Sequence, residues 1–183
     1  GPLGVPADAP ALPTWSFAPG ARRGNVVGLV PASRKATRAW PPESYAELGR
    51  MLRDKFGSEI VVFWGPGEKE IAERVVKGIG KKARLSKDPT GLQRLAEELA
   101  SCKLVVCNCS GPKHIAVALG IPTITIHGSS DPEAWNPPDA RHVVVRREEL
   151  HCIGCRKNEC PYALECLRGL AAWRVFAQAE VLL

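Results

Sequence analysis

In KLVVCNCSGPKHIAVALGIPTITIH, residues 103–127, two apolar runs flank a polar turn and a short helical segment. Lys103–Cys107 is rich in β-branched residues and does not alternate, which predicts a strand buried on both faces. Ser110 and Gly111 make a turn, and PKHIAVALG then reads as a helix that ends at Gly120. A second β-branched run, 123–126, follows Gly-Ile-Pro and predicts the next strand. Strand, helix and strand at this spacing form a crossover unit, which joins parallel strands.

The same alternation extends outward in both directions. NVVGLV (25–30) predicts a strand, and it runs into the polar loop PASRKATRAWPPES. Pro41, Pro42 and Ser44 suit a helix start, and Tyr45, Leu48, Met51, Leu52 and Phe56 recur at helical spacing. EIVVFW (59–64) is a strand stopped by Gly65-Pro66-Gly67, and Ile71, Val75 and Ile79 mark one face of the next helix. A short strand is expected over 83–86. A helix, GLQRLAEELASC, is expected to start from Asp88-Pro89-Thr90. HVVVR (142–146) completes the strands, and 168–183 reads as a terminal helix. The fold class expected is α/β, a Rossmann-like parallel sheet with helices on both faces.

The chain has 183 residues, enough for one domain with extensions. No apolar stretch approaches the roughly 20 residues of a membrane-spanning helix. The first four residues, GPLG, resemble the remnant of a cleaved tag and are set aside. Residues 5–24 carry four prolines and no period, which predicts a linker or arm. A net charge of +6 favours anionic partners. The basic residues are scattered without interleaved aromatics, so no nucleic-acid partner is expected. The odd number of cysteines, seven, without a signal peptide points to a reducing compartment.

In a parallel sheet, ligands bind beyond the carboxyl ends of the strands, where loops feed helix N-termini. Free N–H groups at Ser110 and Gly111 would favour an anion, glycine permits close approach, and His114 lies one turn in. The plainer alternative is a serine cap with a surface histidine. Three further loops share that edge: Ser33–Arg38 with its cations and hydroxyls, Gly65–Glu68 with a carboxylate suited to ribose hydroxyls, and His127–Asp131. Together they suggest a nucleotide or nucleotide-sugar site. No GxxxxGK[ST] is present and no GxGxxG follows the first strand, which disfavours P-loop and dinucleotide-binding readings.

These residues resemble the C-terminal half of family 9 glycosyltransferases, the ADP-heptose:lipopolysaccharide heptosyltransferases. The resemblance runs from about residue 25 to the end and is most specific over 107–137. Members read N-D-[ST]-G-P-x-H there, then A-x-A-L-G-x-P, then G-x-[ST]-[DS]-P-x-x-W-x-P. This chain has Asn108, Ser110, Gly111, Pro112 and His114, then Ala116, Ala118, Leu119, Gly120 and Pro122, then Gly128, Ser129, Asp131, Pro132, Trp135 and Pro137.

The resemblance implies the C-terminal half of a GT-B fold. Residues 25–150 would form the donor-binding domain, 5–24 the interdomain linker, and 151–183 a cysteine-rich segment with a terminal helix. Ser33, Arg38, Ser110, Gly111 and His114 would contact donor phosphates, and Glu68 or Glu70 would approach the ribose. No catalytic residue is expected in this half, because the general base belongs to the N-terminal domain, which also takes the lipopolysaccharide core acceptor. The reaction implied is inverting heptose transfer from ADP-heptose, with no cofactor required, in the cytoplasm, where the family works at the face of the inner membrane. Cys109 stands where the family usually has Asp, and Ala39 where it has Arg. These departures keep a second reading open, a degenerate GT-B-type module that binds without catalysis.

Near the end, Cys152, Cys155, Cys160 and Cys166 form C-x2-C-x4-C-x5-C. That spacing suits a structural zinc site, and disulfides or free thiols are the alternatives.

Overall fold

A computed structural model describes residues 24–87 and 91–183. The tag remnant, all but the last residue of the predicted linker, and the Asp88-Pro89-Thr90 helix start lie outside the described residues.

Six strands form one parallel sheet: β1 (Val26–Val30), β2 (Glu59–Val62), β3 (Ala83–Leu85), β4 (Leu104–Asn108), β5 (Thr123–Ile126) and β6 (His142–Val145). Their order is β3-β2-β1-β4-β5-β6. Val27 pairs with Ile60 on one side and with Leu104 on the other. The order reverses between β1 and β4, so a crevice opens at their carboxyl ends.

Two apolar cores flank the sheet. On one face α1 (Pro42–Phe56), α2 (Lys69–Ile79) and α7 (Ala172–Leu182) enclose Val27, Leu29, Trp40, Leu48, Val75 and Val175. On the other, α3 (Leu92–Ala100) and α4 (Gly111–Ala118) close over Val30, Phe63, Leu99, Val105, Cys107 and Ala116. Helix α1 starts with Pro42 in its first turn and ends at Gly57, whose left-handed φ of 64° lets its N–H reach the Arg53 carbonyl. A proline ring presets helical φ and sacrifices only an N–H the first turn leaves unpaired, and glycine takes the left-handed conformation at no steric cost.

The predicted terminal helix, 168–183, begins four residues later, at Ala172, and a separate short helix precedes it. A short α6 (Glu165–Arg168) stops at Gly169, and α7 begins at Ala172. The break frees the Leu170 carbonyl to accept from the buried Trp40 indole N–H at 3.0 Å. A one-turn helix, α5 (Pro132–Trp135), also appears where sequence periodicity shows nothing. The Asp131 carboxylate caps it, accepting from the Glu133 N–H at 3.0 Å. No helix among the described residues is long and apolar enough to cross a membrane.

Candidate functional site

The end of β4 is tied to the loop after β1 by one side chain. Buried Asn108 donates to the Pro31 carbonyl at 2.8 Å and accepts from the Trp40 N–H at 3.1 Å. The loop after β5 joins them, because Ser129 N–H donates to the Thr37 carbonyl at 3.1 Å. The fit there requires glycine: a Cβ on Gly128 would lie 2.8 Å from the Thr37 oxygen. Three chain segments distant in sequence thus become one rigid rim.

An open cavity of about 450 Å³ lies on this rim, lined by Ser33, Arg34, Lys35, Arg38, Cys109, Ser110 and Gly111. Three cations face the N-terminus of α4, and none of the lining residues is a carboxylate. A Cβ added at Gly111 would meet nothing within 4 Å, so the space beside that residue is open. Ser110 occupies the helix cap position without capping through its side chain. Its hydroxyl instead donates to the Asn108 carbonyl at 3.3 Å. Such a cavity suits a diphosphate: helix amides and guanidinium groups both favour anionic oxygen.

The structure therefore gathers Ser33, Arg38, Ser110 and Gly111, with the variant position Cys109, into one cavity. It does not bring His114 into that lining. The His114 ring packs edge-on against Trp135, with centroids 6.1 Å apart, and burial beside Lys113 lowers its pKa. Glu68 lines an adjacent cavity of about 330 Å³ with Trp64, Gly65, Leu92 and Pro112. Its carboxylate accepts from the Gly65 N–H at 2.9 Å. Glu70 is exposed in the first turn of α2 and lines neither cavity.

Two buried basic side chains lie beneath the rim: Lys113, which the sequence reading did not single out, and His127, which it placed in the loop after the fifth strand. Lys113 is fully buried and donates to the Trp135 carbonyl, which ties α4 to α5. Burial lowers its pKa, with partial offset from Cys109 and Cys107. His127 is also fully buried. One ring nitrogen meets the Ser130 hydroxyl at 3.0 Å, and the other has no partner among the described residues. Burial, reinforced by Lys113, pushes His127 down to about 4. A lysine at a helix start carries no sequence pattern that signals burial, and the His127–Asp131 stretch was legible as a loop at the site edge but not as a buried histidine.

The four clustered cysteines are free thiols. They line a small cavity of about 30 Å³ together with Thr37, Ser129 and Lys157. Among the described residues, no group of three or more His, Cys, Asp or Glu is placed to hold a metal ion as the side chains stand.

The profile of glycosyltransferase family 9 (heptosyltransferase) matches residues 9–165. The chain is 30% identical over 138 residues to lipopolysaccharide heptosyltransferase 2 of Escherichia coli strain K12, covering 73% of this chain and 36% of that protein. The structure matches E. coli heptosyltransferase WaaC with ADP at a TM-score of 0.71 and 27% identity, covering 90% of this chain and 46% of the other. It also shares the fold of the iron-containing dodecameric glycosyltransferase TibC from enterotoxigenic E. coli, at a TM-score of 0.66 and 18% identity, covering 86% of this chain and 46% of that one. The chain spans between about a third and a half of the length of the curated relatives it matches. A six-stranded Rossmann-like sheet, a cavity with cationic lining at its switch point and a family match over most of the sequence agree: the chain belongs to glycosyltransferase family 9, the heptosyltransferases.

Proposed function

We propose that this chain is the donor-binding half of an inverting glycosyltransferase that takes heptose from ADP-heptose to a lipopolysaccharide core acceptor. The observation that carries this reading is the convergence of Arg34, Lys35 and Arg38 on the N-terminus of α4 around the cavity of about 450 Å³. Ser33, Arg38, Ser110 and Gly111 hold the diphosphate, and His114, packed against Trp135 outside the cavity lining, is the less favoured phosphate contact. Glu68 closes the ribose end, and exposed Glu70 is the less favoured partner. An acceptor hydroxyl attacks the anomeric carbon and the nucleoside diphosphate leaves with inversion. Charge building on the leaving oxygen is taken up by preorganised cations and helix amides.

The cavity lining contains no carboxylate, which supports a general base supplied by a preceding N-terminal domain. On this reading the described domain binds donor but does not transfer sugar alone. The net charge of +6 suits a cytoplasmic protein working at the anionic face of the inner membrane.

The test is a calorimetric titration with ADP, UDP and GDP in parallel. Saturable binding of ADP is expected. Arg38→Ala should weaken it by roughly 10-fold or more, from about 1.5–3 kcal/mol for a charge-assisted hydrogen bond. Cys109 favours a second reading, a degenerate binding module, because it places a thiol where the family usually has a carboxylate. If Cys109→Asp restores selectivity for ADP-heptose over ADP, that position sets sugar recognition; equal affinity for both ligands in both proteins supports the degenerate module.

A further inference from the structure

One buried charge lacks a counter-charge among the described residues. Lys113 is fully buried in the first turn of α4, two residues after Gly111. Its ammonium has three N–H donors, and the acceptor it reaches is neutral, the Trp135 carbonyl. It belongs to none of the ion pairs among the described residues. The groups that favour its charged form are the thiols of Cys109 and Cys107, and no carboxylate joins them. A buried cation in that position is strongly destabilising, because it has left water without gaining an opposite charge.

The charge acts over some distance. Burial is the main cause of the lowered pKa at His114, His127 and His142, and Lys113 adds to it at all three. Side chains on a helix lean toward its N-terminus, so a lysine in this turn sends its charge back toward the amides that edge the anion cavity. Cys109, which stands beside the ammonium, is itself a wall of that cavity, with Ser110 and Gly111. The cations in the lining differ from Lys113 in one respect: Arg34 and Lys35 are exposed, so water and salt screen them, whereas Lys113 is not screened in this way.

We propose that Lys113 sets the affinity of the cavity for its ligand: the phosphates of the bound molecule are the counter-charge that the buried ammonium lacks, and the attraction acts across the Cys109 wall without direct contact. The inference rests on the donor reading of the cavity and adds to it an affinity-determining residue outside the lining. Without ligand the domain carries an unfavourable charge, and an arriving anion relieves it.

The test is calorimetric titration of the full chain with ADP and with inorganic pyrophosphate, each at low and high salt. Lys113→Gln removes the charge and keeps an amide donor for the Trp135 carbonyl. It should weaken both ligands by roughly 10-fold or more, and the loss should persist at high salt. Lys35→Gln should weaken them only at low salt. Cys109→Asp places a carboxylate beside the ammonium, so the ligand-free melting temperature should rise while both ligands bind more weakly. In the double variant with Lys113→Gln that rise should disappear. Should Lys113→Gln not fold, Cys109→Asp in the otherwise unaltered chain reads the same coupling. Affinities unchanged by Lys113→Gln overturn the inference, as does a Cys109→Asp protein with unaltered melting temperature and affinities. ADP binding that ignores Lys113 leaves the donor reading standing without the inference. Pyrophosphate binding that depends on Lys113, with ADP binding no better than pyrophosphate, keeps the inference and removes the nucleotide from the reading. Binding of neither ligand overturns both.

Discussion

His127 shows how one side chain sets a pH limit on the fold. Its ring is fully buried, accepts or donates one bond to Ser130, and titrates at about 4 rather than near 6.5. The unfolded chain therefore binds more protons than the folded chain between those two values, and stability rises with pH across that window. The full effect, roughly 3 kcal/mol, is present above pH 6.5 and is lost as pH falls toward 4. Burial lowers His114 and His142 as well, which adds to the trend in the same direction. Urea midpoints measured from pH 7 to pH 4.5 should fall steadily, and His127→Gln, which keeps a partner for Ser130, should flatten the slope. A slope unchanged in that variant would assign the pH dependence to other groups. At this scale the sequence was legible where chemistry follows the helix start: Ser110 and Gly111 stand at the cavity because strand-to-helix turns place residues there. Lys113 was not legible, because its burial depends on where α5 puts the Trp135 carbonyl, a contact between segments separated by two turns and a strand.

Among elements, the strands and the long helices were readable from their apolar patterns, since a sheet buried on both faces demands continuous β-branched runs. Helix α5 was not, because one turn is too short to show a period and depends on the Asp131 cap. The late start of the terminal helix was also invisible: 168–183 has helical composition throughout, yet residues 169–171 lie outside any helix and the Leu170 carbonyl accepts from the Trp40 indole. The loops after β1 and β5 meet at Gly128, and this junction separates two kinds of glycine. Gly128→Ala should cost about 1–3 kcal/mol through overpacking against the Thr37 carbonyl and should weaken ADP binding in parallel. Gly111→Ala meets open space, so its melting temperature should hold while ADP affinity falls. Thermal melts and titrations of the pair check both statements. Equal losses of stability in the two would mean that the rim is softer than its contacts indicate.

For the whole molecule, ADP should act as a stabiliser, since only the assembled rim offers the cavity. At a ligand concentration of about 100 times Kd the gain is roughly 2.7 kcal/mol, which raises Tm by about 5–10 °C for a domain of this size. Differential scanning fluorimetry with ADP, and again at high salt where screening weakens the effect, tests this. The central pairing of the sheet carries a further consequence. β1 is bonded to β4, with Val27 opposite Leu104, across a long intervening stretch that holds two other strands. Closing so wide a loop is entropically costly and slow, and it comes after local helices can form. The loops after β1 and β4 that line the cavity beside α4 both hang from that one late event. If the cavity takes a nucleotide as proposed, a newly made chain is blind to it until its two middle strands meet, and ligand capture would be a timestamp for the completion of folding.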